Sequence, residues 1–411
     1  MLKFWHLAQV FPHHILMASI CGFLAVIIIL QTNPWLIWIL GVPCLIATVV
    51  LSTTAWIEGR RDITVCIVAI VMGGILALWR GVTPFAPAWG AVFLEIFTGT
   101  RDTVIDRLQS LAPEPGASLL VGLLTGARAS LPKALIEDVR TAGIIHMLAI
   151  SGQNITLTLT LLAPLLTLVP PRVRWLASVM AIVGFTAFTG ASPSAVRAAI
   201  MGCIGIFAHH GGRERDIYVS IAIAALVMTL WDPTLPVQNL GFQLSFLAIL
   251  GLTLCSTPLE ERMRWIPWEW LRVSCAGTFA AELMTLPWTA AIFGQCTIYS
   301  PLSNLLAAPA VPLATSGAAI AVALSSLSLP LGRVAIIAPW LAASWIAGVA
   351  TVIAHLPFAT VAIPAIPGWL LLAYYIALGG LLLRWYRSPL VQKHALSAVP
   401  VLPHELAHGS A

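Results

Sequence analysis

Charge is what this sequence has least of. Only 9% of its 411 residues are Asp, Glu, Lys or Arg, while 59% are hydrophobic; a typical soluble domain carries about a quarter charged residues. That scarcity excludes a soluble globular domain. Paired cysteines are missing as well. The seven present (Cys21, Cys44, Cys66, Cys203, Cys255, Cys275 and Cys296) fall singly in or beside apolar runs, without C-x-x-C or metal-ligand spacing. They read as small hydrophobes. The marks of a cleaved leader are also wanting. One lysine, Lys3, precedes the apolar run from Ile15 to Leu30, and no A-x-A site follows closely, so that run reads as a first membrane span.

What is present is apolar length. A span needs about 20 mostly apolar residues, and the runs at 15–31, 35–57, 63–79, 144–169, 173–190, 194–210, 217–231, 239–256, 273–294, 298–328, 334–354 and 366–383 supply them. Lipid offers backbone groups no partners, so such runs must be helices. The expected fold class is all-α: a polytopic membrane bundle of about 12 transmembrane helices, with 10 as the lower bound.

Positive charge orients the bundle, because cytoplasmic loops carry the excess of Lys and Arg. With the amino terminus inside, Arg60, Arg61, Arg172, Arg174, Arg213, Arg215, Arg262, Arg264, Arg384 and Arg387 fall in inner loops. The short outer loops after the first, fifth, seventh, ninth and eleventh spans hold none. Both termini are expected in the cytoplasm. The segment 81–143, which carries Arg101, Arg107, Arg128, Lys133 and Arg140, is expected outside. In it Phe93, Ile96, Phe97, Val104, Leu108 and Leu111 recur near helical spacing beside Arg101, Asp102, Asp106 and Arg107. An amphipathic helix on the membrane surface and a helical linker packed on the bundle both fit that pattern. The expected organisation is therefore a three-helix membrane region (1–80), the amphipathic outer segment (81–143), a helical channel domain (144–385) and a disordered cytoplasmic tail (386–411).

Four polar-marked stretches stand out in this apolar background: "LLVGLLTGARASLPKALIEDVRTAGIIHMLAISGQNITL" (119–157), "TGASPSAVRAAIMG" (189–202), "DPTLPVQNLGFQLSFLAILGL" (232–252) and "TLPWTAAIFGQCTIYSPLSNLLAAPAVPL" (285–313). In this order and spacing they resemble the membrane domain of the ComEC-type competence proteins. The resemblance implies an inner-membrane channel that admits single-stranded DNA during natural transformation. In that family the first block usually runs Ser-Gly-Leu-His, whereas Gln153 and Asn154 follow Ser-Gly here. Full-length members also carry an extracytoplasmic OB-fold domain and a metallo-β-lactamase-like domain. Residues 81–143 are too helical and too short for the first, and no H-x-H-x-D-H stretch exists for the second.

The residues support a pathway reading separately. Polar groups inside a span usually face the bundle interior or a water-filled cavity. On an unbroken helix His146, Gln153 and Thr160 form one stripe, with Asn154 beside it. Gly152 after Ser151 is a place where that helix can break and free backbone groups for a ligand. Interhelical hydrogen bonding is the alternative use of the same groups. Arg197 and Glu282 are the formal charges deepest in apolar runs. They read either as a buried ion pair or as pathway groups, Arg197 then contacting phosphate. Asn239, Gln243 and Asn304 are expected in the bundle interior. The translocation-pathway candidates are thus His146, Ser151, Gln153, Asn154, Arg197, Asn239, Gln243, Glu282 and Asn304.

No catalytic residue, metal or cofactor is expected. "HELAH" at His404–His408 matches H-E-x-x-H, but it follows Pro400 and Pro403 near the end of the chain, and no third ligand is evident. An intramembrane metalloprotease is the enzymatic alternative that this motif would serve. A transporter of another solute on the same scaffold, and a non-conducting assembly partner, are the others. The expected partners are single-stranded DNA, other competence proteins including a separate nuclease or DNA receptor, the lipid bilayer, and further copies of the chain as a homo-oligomer.

Overall fold

A computed structural model describes Leu24 and residues 88–148, 150–212 and 216–386. Apart from Leu24, the first three expected spans and the HELAH tail lie outside the described residues. Within them the chain is overwhelmingly helical and divides into two compact units. One comprises the chain up to Phe246 together with Leu306–Leu356, and the other Leu247–Leu305 together with the chain from Pro357 onward.

In the first unit α1 (Ala88–Leu111) buries Leu108 and Leu111 while Asp102 and Asp106 are exposed. From Phe97 onward this one-sided burial is the pattern of an amphipathic helix. The helix Lys133–Thr141 alternates likewise, with Leu135 and Val139 buried and Lys133, Glu137 and Arg140 exposed, whereas the helix between them does not. Helix α2 (Gly116–Thr125) is buried at every one of its 10 residues. It is apolar except for Ser118 and Thr125, whose hydroxyls are hydrogen-bonded, and it packs against α1 and against α12 (Ala310–Leu327) and α14 (Ile337–Ala354). At about 1.5 Å per residue it is only about half as long as a bilayer's hydrocarbon core is thick. Its first residue must be glycine, since a Cβ on Gly116 would lie 2.5 Å from Trp340 Cδ1. The Trp340 indole N–H in turn donates to the Pro113 carbonyl at 3.1 Å. Helix α3 (Lys133–Thr141) rests on α14, where Thr351 Oγ1 donates to Asp138 Oδ2 at 2.8 Å.

After a 3-10 turn at Ile145–Leu148, α4 (Gly152–Thr167), α5 (Pro171–Phe188) and α6 (Pro193–His210) pack mutually around Ile155, Ile182, Ala198 and Ala199. Helix α7 (Ile217–Trp231) lies on α6. Asp216 caps α7, accepting the N–H groups of Tyr218 and Val219. A short α8 (Leu235–Gln238) leads into α9 (Leu240–Arg262), and α13 (Leu329–Ala335) joins α12 to α14.

The second unit contains the later part of α9, α10 (Glu269–Phe293), β1 (Gln295–Thr297), most of α11 (Ser300–Ala307), β2 (Thr360–Ala362) and α15 (Gly368–Tyr386). The two strands pair antiparallel, with Cys296 opposite Val361. Cys255, Ala280, Leu378 and Leu382 form its core. Gly251 allows α9 to cross directly over the Ala280 carbonyl, where any Cβ would collide.

Among the described residues three helices, α9, α12 and α14, are long and apolar enough to cross a membrane, and α2, α7 and Gly368–Leu382 are shorter apolar helices. Most of the expected span boundaries between 173 and 383 fall within three residues of a helix end. The run 298–328 is not one helix. It is two helices, α11 and α12, separated at Ala308–Pro309, because Pro309 has no N–H for the ladder.

Candidate functional site

The run that begins at Ile144 is not one helix. Its 3-10 turn ends at Leu148, and α4 starts only at Gly152 with Ser151 extended at its N-cap (φ −122, ψ 175). The stripe of His146, Gln153 and Thr160 that an unbroken helix would make is therefore divided, with His146 on the turn and the other two on α4. The break falls where Gly152 follows Ser151, and it frees the Ile150 carbonyl from the ladder.

That carbonyl has a partner on another helix. Ser194 Oγ, in the first turn of α6, donates to Ile150 O at 2.7 Å. The loop after α5 arrives at the same place. Gly126, left-handed at the end of α2, would put a Cβ 3.2 Å from Ile150 Cγ1 and 3.7 Å from the Thr189 carbonyl. In that loop Gly190 (φ +77) and Ala191 (φ +49) are both left-handed, and a Cβ on Gly190 would lie 3.2 Å from Arg101 Nη1. A Cβ on Gly152 would lie 3.7 Å from Ala198, and one on Gly241 would lie 3.8 Å from Pro193. The first turns of α4, α6 and α9 thus gather at the break. Helix N-termini present unsatisfied N–H groups and a partial positive charge.

The candidate residues divide here by surroundings. Gln153 is exposed and Ser151 half-buried, whereas Asn154 is 4% exposed. His146 is exposed and engaged in an interaction of its own. Thr156, Thr158 and Thr160 return their hydroxyls to the carbonyls of Gly152, Asn154 and Thr156, at 3.1, 2.8 and 2.9 Å. They place hydroxyls along α4 without leaving them unpaired.

Arg197, one turn into α6, is half-buried, with its guanidinium 5.8 Å above the Phe246 ring centroid. Its Nε is buried without a hydrogen-bond partner among the described residues. Phe246 is itself held 4.4 Å from Phe242, centroid to centroid. Asn239 caps α9, its Oδ1 accepting the Phe242 N–H at 3.0 Å. Gln243 Nε2 donates to the carbonyls of Pro236 and Val237 at 3.0 and 2.8 Å, tying α8 to α9. Both side chains hold backbone in place.

In the second unit Glu282 stands on α10 and its carboxylate is hydrogen-bonded by the side chains of Ser300 and Asn304 on α11. Asn304 Nδ2 also donates to Ser300 Oγ at 3.4 Å. Asn304 and Ser300 are 8% and 7% exposed. Arg197 and Glu282 belong to different units, and the contacts described for each lie within its own.

Sequence reasoning missed Ser194, Arg101 and Ser300. Ser194 follows Pro193 and Ser192 and reads as part of a helix start. Arg101 reads as the polar face of α1. Ser300 carries no signal until α11 folds against α10.

The family model of the Competence protein family matches residues 123–388. The chain is 28% identical over 270 residues to ComE operon protein 3 of Bacillus subtilis (strain 168), covering 64% of this chain and 34% of that protein. It is 27% identical over 243 residues to the uncharacterized protein YcaI of Escherichia coli (strain K12), covering 54% of this chain and 31% of that protein. The chain therefore spans about a third of the length of these relatives. No solved structure matches it.

Proposed function

Because this chain belongs to the competence protein family, whose model covers more than half of it, we propose that it is a cytoplasmic-membrane channel component through which single-stranded DNA enters during natural transformation. The supporting observation is the gathering of three helix starts at the Ile150 break beside Arg197. A DNA strand carries a phosphate at every nucleotide, and helix N-termini and guanidinium groups both favour phosphate. Conduction also requires that no single contact be tight. Arg197 suits that requirement, since Phe246 supports its guanidinium without neutralising it. Exposed Gln153 and the self-satisfied threonines of α4 offer polar surface without charge. Passage is guided by these contacts and calls for no bond-breaking by the described residues.

The test is uptake of labelled DNA in cells carrying Arg197→Met. Losing one charge-assisted contact of about 1.5–3 kcal/mol should lower uptake by about ten- to a hundredfold at unchanged membrane abundance, with Arg197→Lys recovering much of it. Normal uptake in the Arg197→Met strain would overturn the role given to Arg197. Loss of the protein from the membrane in both variants would make Arg197 a structural residue.

A further inference from the structure

Glu282 is the charged group that the pathway just described leaves without a task. It stands near the middle of α10, half-buried, with one carboxylate oxygen sealed from solvent and unpartnered among the described residues. The groups on its carboxylate are neutral: the Ser300 hydroxyl and the Asn304 amide. The geometry points to a reversible proton-binding site made of Glu282, Ser300 and Asn304, a use that goes beyond DNA passage and does not depend on it.

Three features argue for a proton as the ligand. A structural carboxylate in an apolar bundle is ordinarily paired with a cation, and among the described residues the groups on this one are a hydroxyl and an amide. Cys296 on β1 lies close enough to sense its charge. On α15 the Tyr374 and Tyr375 hydroxyls donate to the carbonyls of Leu283 and Met284 at 2.9 Å each. Cys255 on α9 is sealed in the core. The charged groups of α9, Glu260, Glu261 and Arg262, lie at its far end, five or more residues past Cys255. Helix α11 carries no titratable residue.

The second feature is that the two partners suit both forms of the acid. The ionised carboxylate accepts from Ser300 O–H and from an Asn304 N–H. The protonated acid needs an acceptor for its own O–H, and the Ser300 hydroxyl and Asn304 carbonyl can both accept. The third is that a sodium ion would need several more oxygen ligands than one carboxylate, one hydroxyl and one amide provide. Proton exchange is the simple transfer of H⁺ between water and a carboxylate oxygen, with the charge at the site changing between −1 and 0.

The measurement is infrared difference spectroscopy across a pH titration of the purified full-length protein in lipid vesicles, without DNA. The wild type should show a protonated carboxylic C=O band that rises and falls reversibly with pH and is missing in Glu282→Gln. Ser300→Ala removes a donor that favours the charged form, so its band should persist to a proton concentration about tenfold lower. An identical spectrum in Glu282→Gln would overturn the site, as would a Ser300→Ala band that titrates unchanged. A band that bleaches on addition of sodium at constant pH would replace the proton with a metal cation and equally overturn it. DNA uptake, decided by Arg197, stands or falls separately.

Discussion

Ser194 Oγ and the Ile150 carbonyl, 2.7 Å apart, join the start of α6 to the break that precedes α4, although 44 residues separate them in the chain. A carbonyl released from the helical ladder is costly in a buried setting unless something donates to it. Ser194 does so from a helix whose first turn, begun by Pro193, sits beside the break.

Ser194→Ala should therefore destabilise the protein by about 1–3 kcal/mol, the cost of a buried acceptor left unmade. Ser194→Thr keeps the donor and should stay near wild type. Thermal unfolding of the detergent-solubilised protein measures both. An alanine variant as stable as the serine protein would show that the break is held by packing alone.

Gln153 and Asn154 are neighbours in sequence with opposite surroundings, and their leucine variants should separate. Gln153→Leu, at an exposed position, should leave abundance near normal and reduce DNA uptake by drying the polar surface. Asn154→Leu, at a position 4% exposed, should lower abundance first. Equal effects of the two on both readouts would contradict this division. Immunoblots of membranes run beside uptake assays give the comparison.

Tyr374 and Pro287 should prove coupled. Proline at 287 removes the N–H that would bond the Leu283 carbonyl four residues back, and Tyr374 Oη donates to that same carbonyl at 2.9 Å. Tyr374→Phe should cost about 1 kcal/mol or more in the native background. In a Pro287→Ala background the ladder can close, so the same change should cost less. A double-mutant cycle on unfolding free energy reads the coupling, and strictly additive values would disprove it.

Orientation is tested by labelling. In a background without the seven native cysteines, a cysteine at Asp106 on α1 should react with an impermeant thiol reagent in intact cells whose outer barrier is open. One at Arg262, at the end of α9, should react only after lysis. The reverse pattern would invert the proposed topology.

Much of this architecture is written in local patterns. Apolar runs of span length fix where α5, α6, α7, α9, α10, α14 and α15 lie, because a membrane-like composition leaves helices as the way to satisfy the backbone. The four polar-marked blocks identify the family, and Gly152 marks where the run from Ile144 breaks. Periodicity is silent on what meets what. Helix α2 falls in the segment 81–143, and only the packing of α1, α12 and α14 around it makes it a buried core helix. Pro309 was visible in the run 298–328, but length alone did not show that the run divides there. The contacts of the polar side chains come from the tertiary structure. Asn239 and Gln243 looked like Asn154 and Gln153 in sequence, and became a cap and a tie because α8 ends where α9 begins. Glu282 and Arg197, the deepest opposite charges, read from sequence either as a buried pair or as pathway groups. Their surroundings, a hydroxyl and an amide for one and a phenylalanine ring for the other, depend on contacts between helices distant in the chain, which no single segment of sequence encodes.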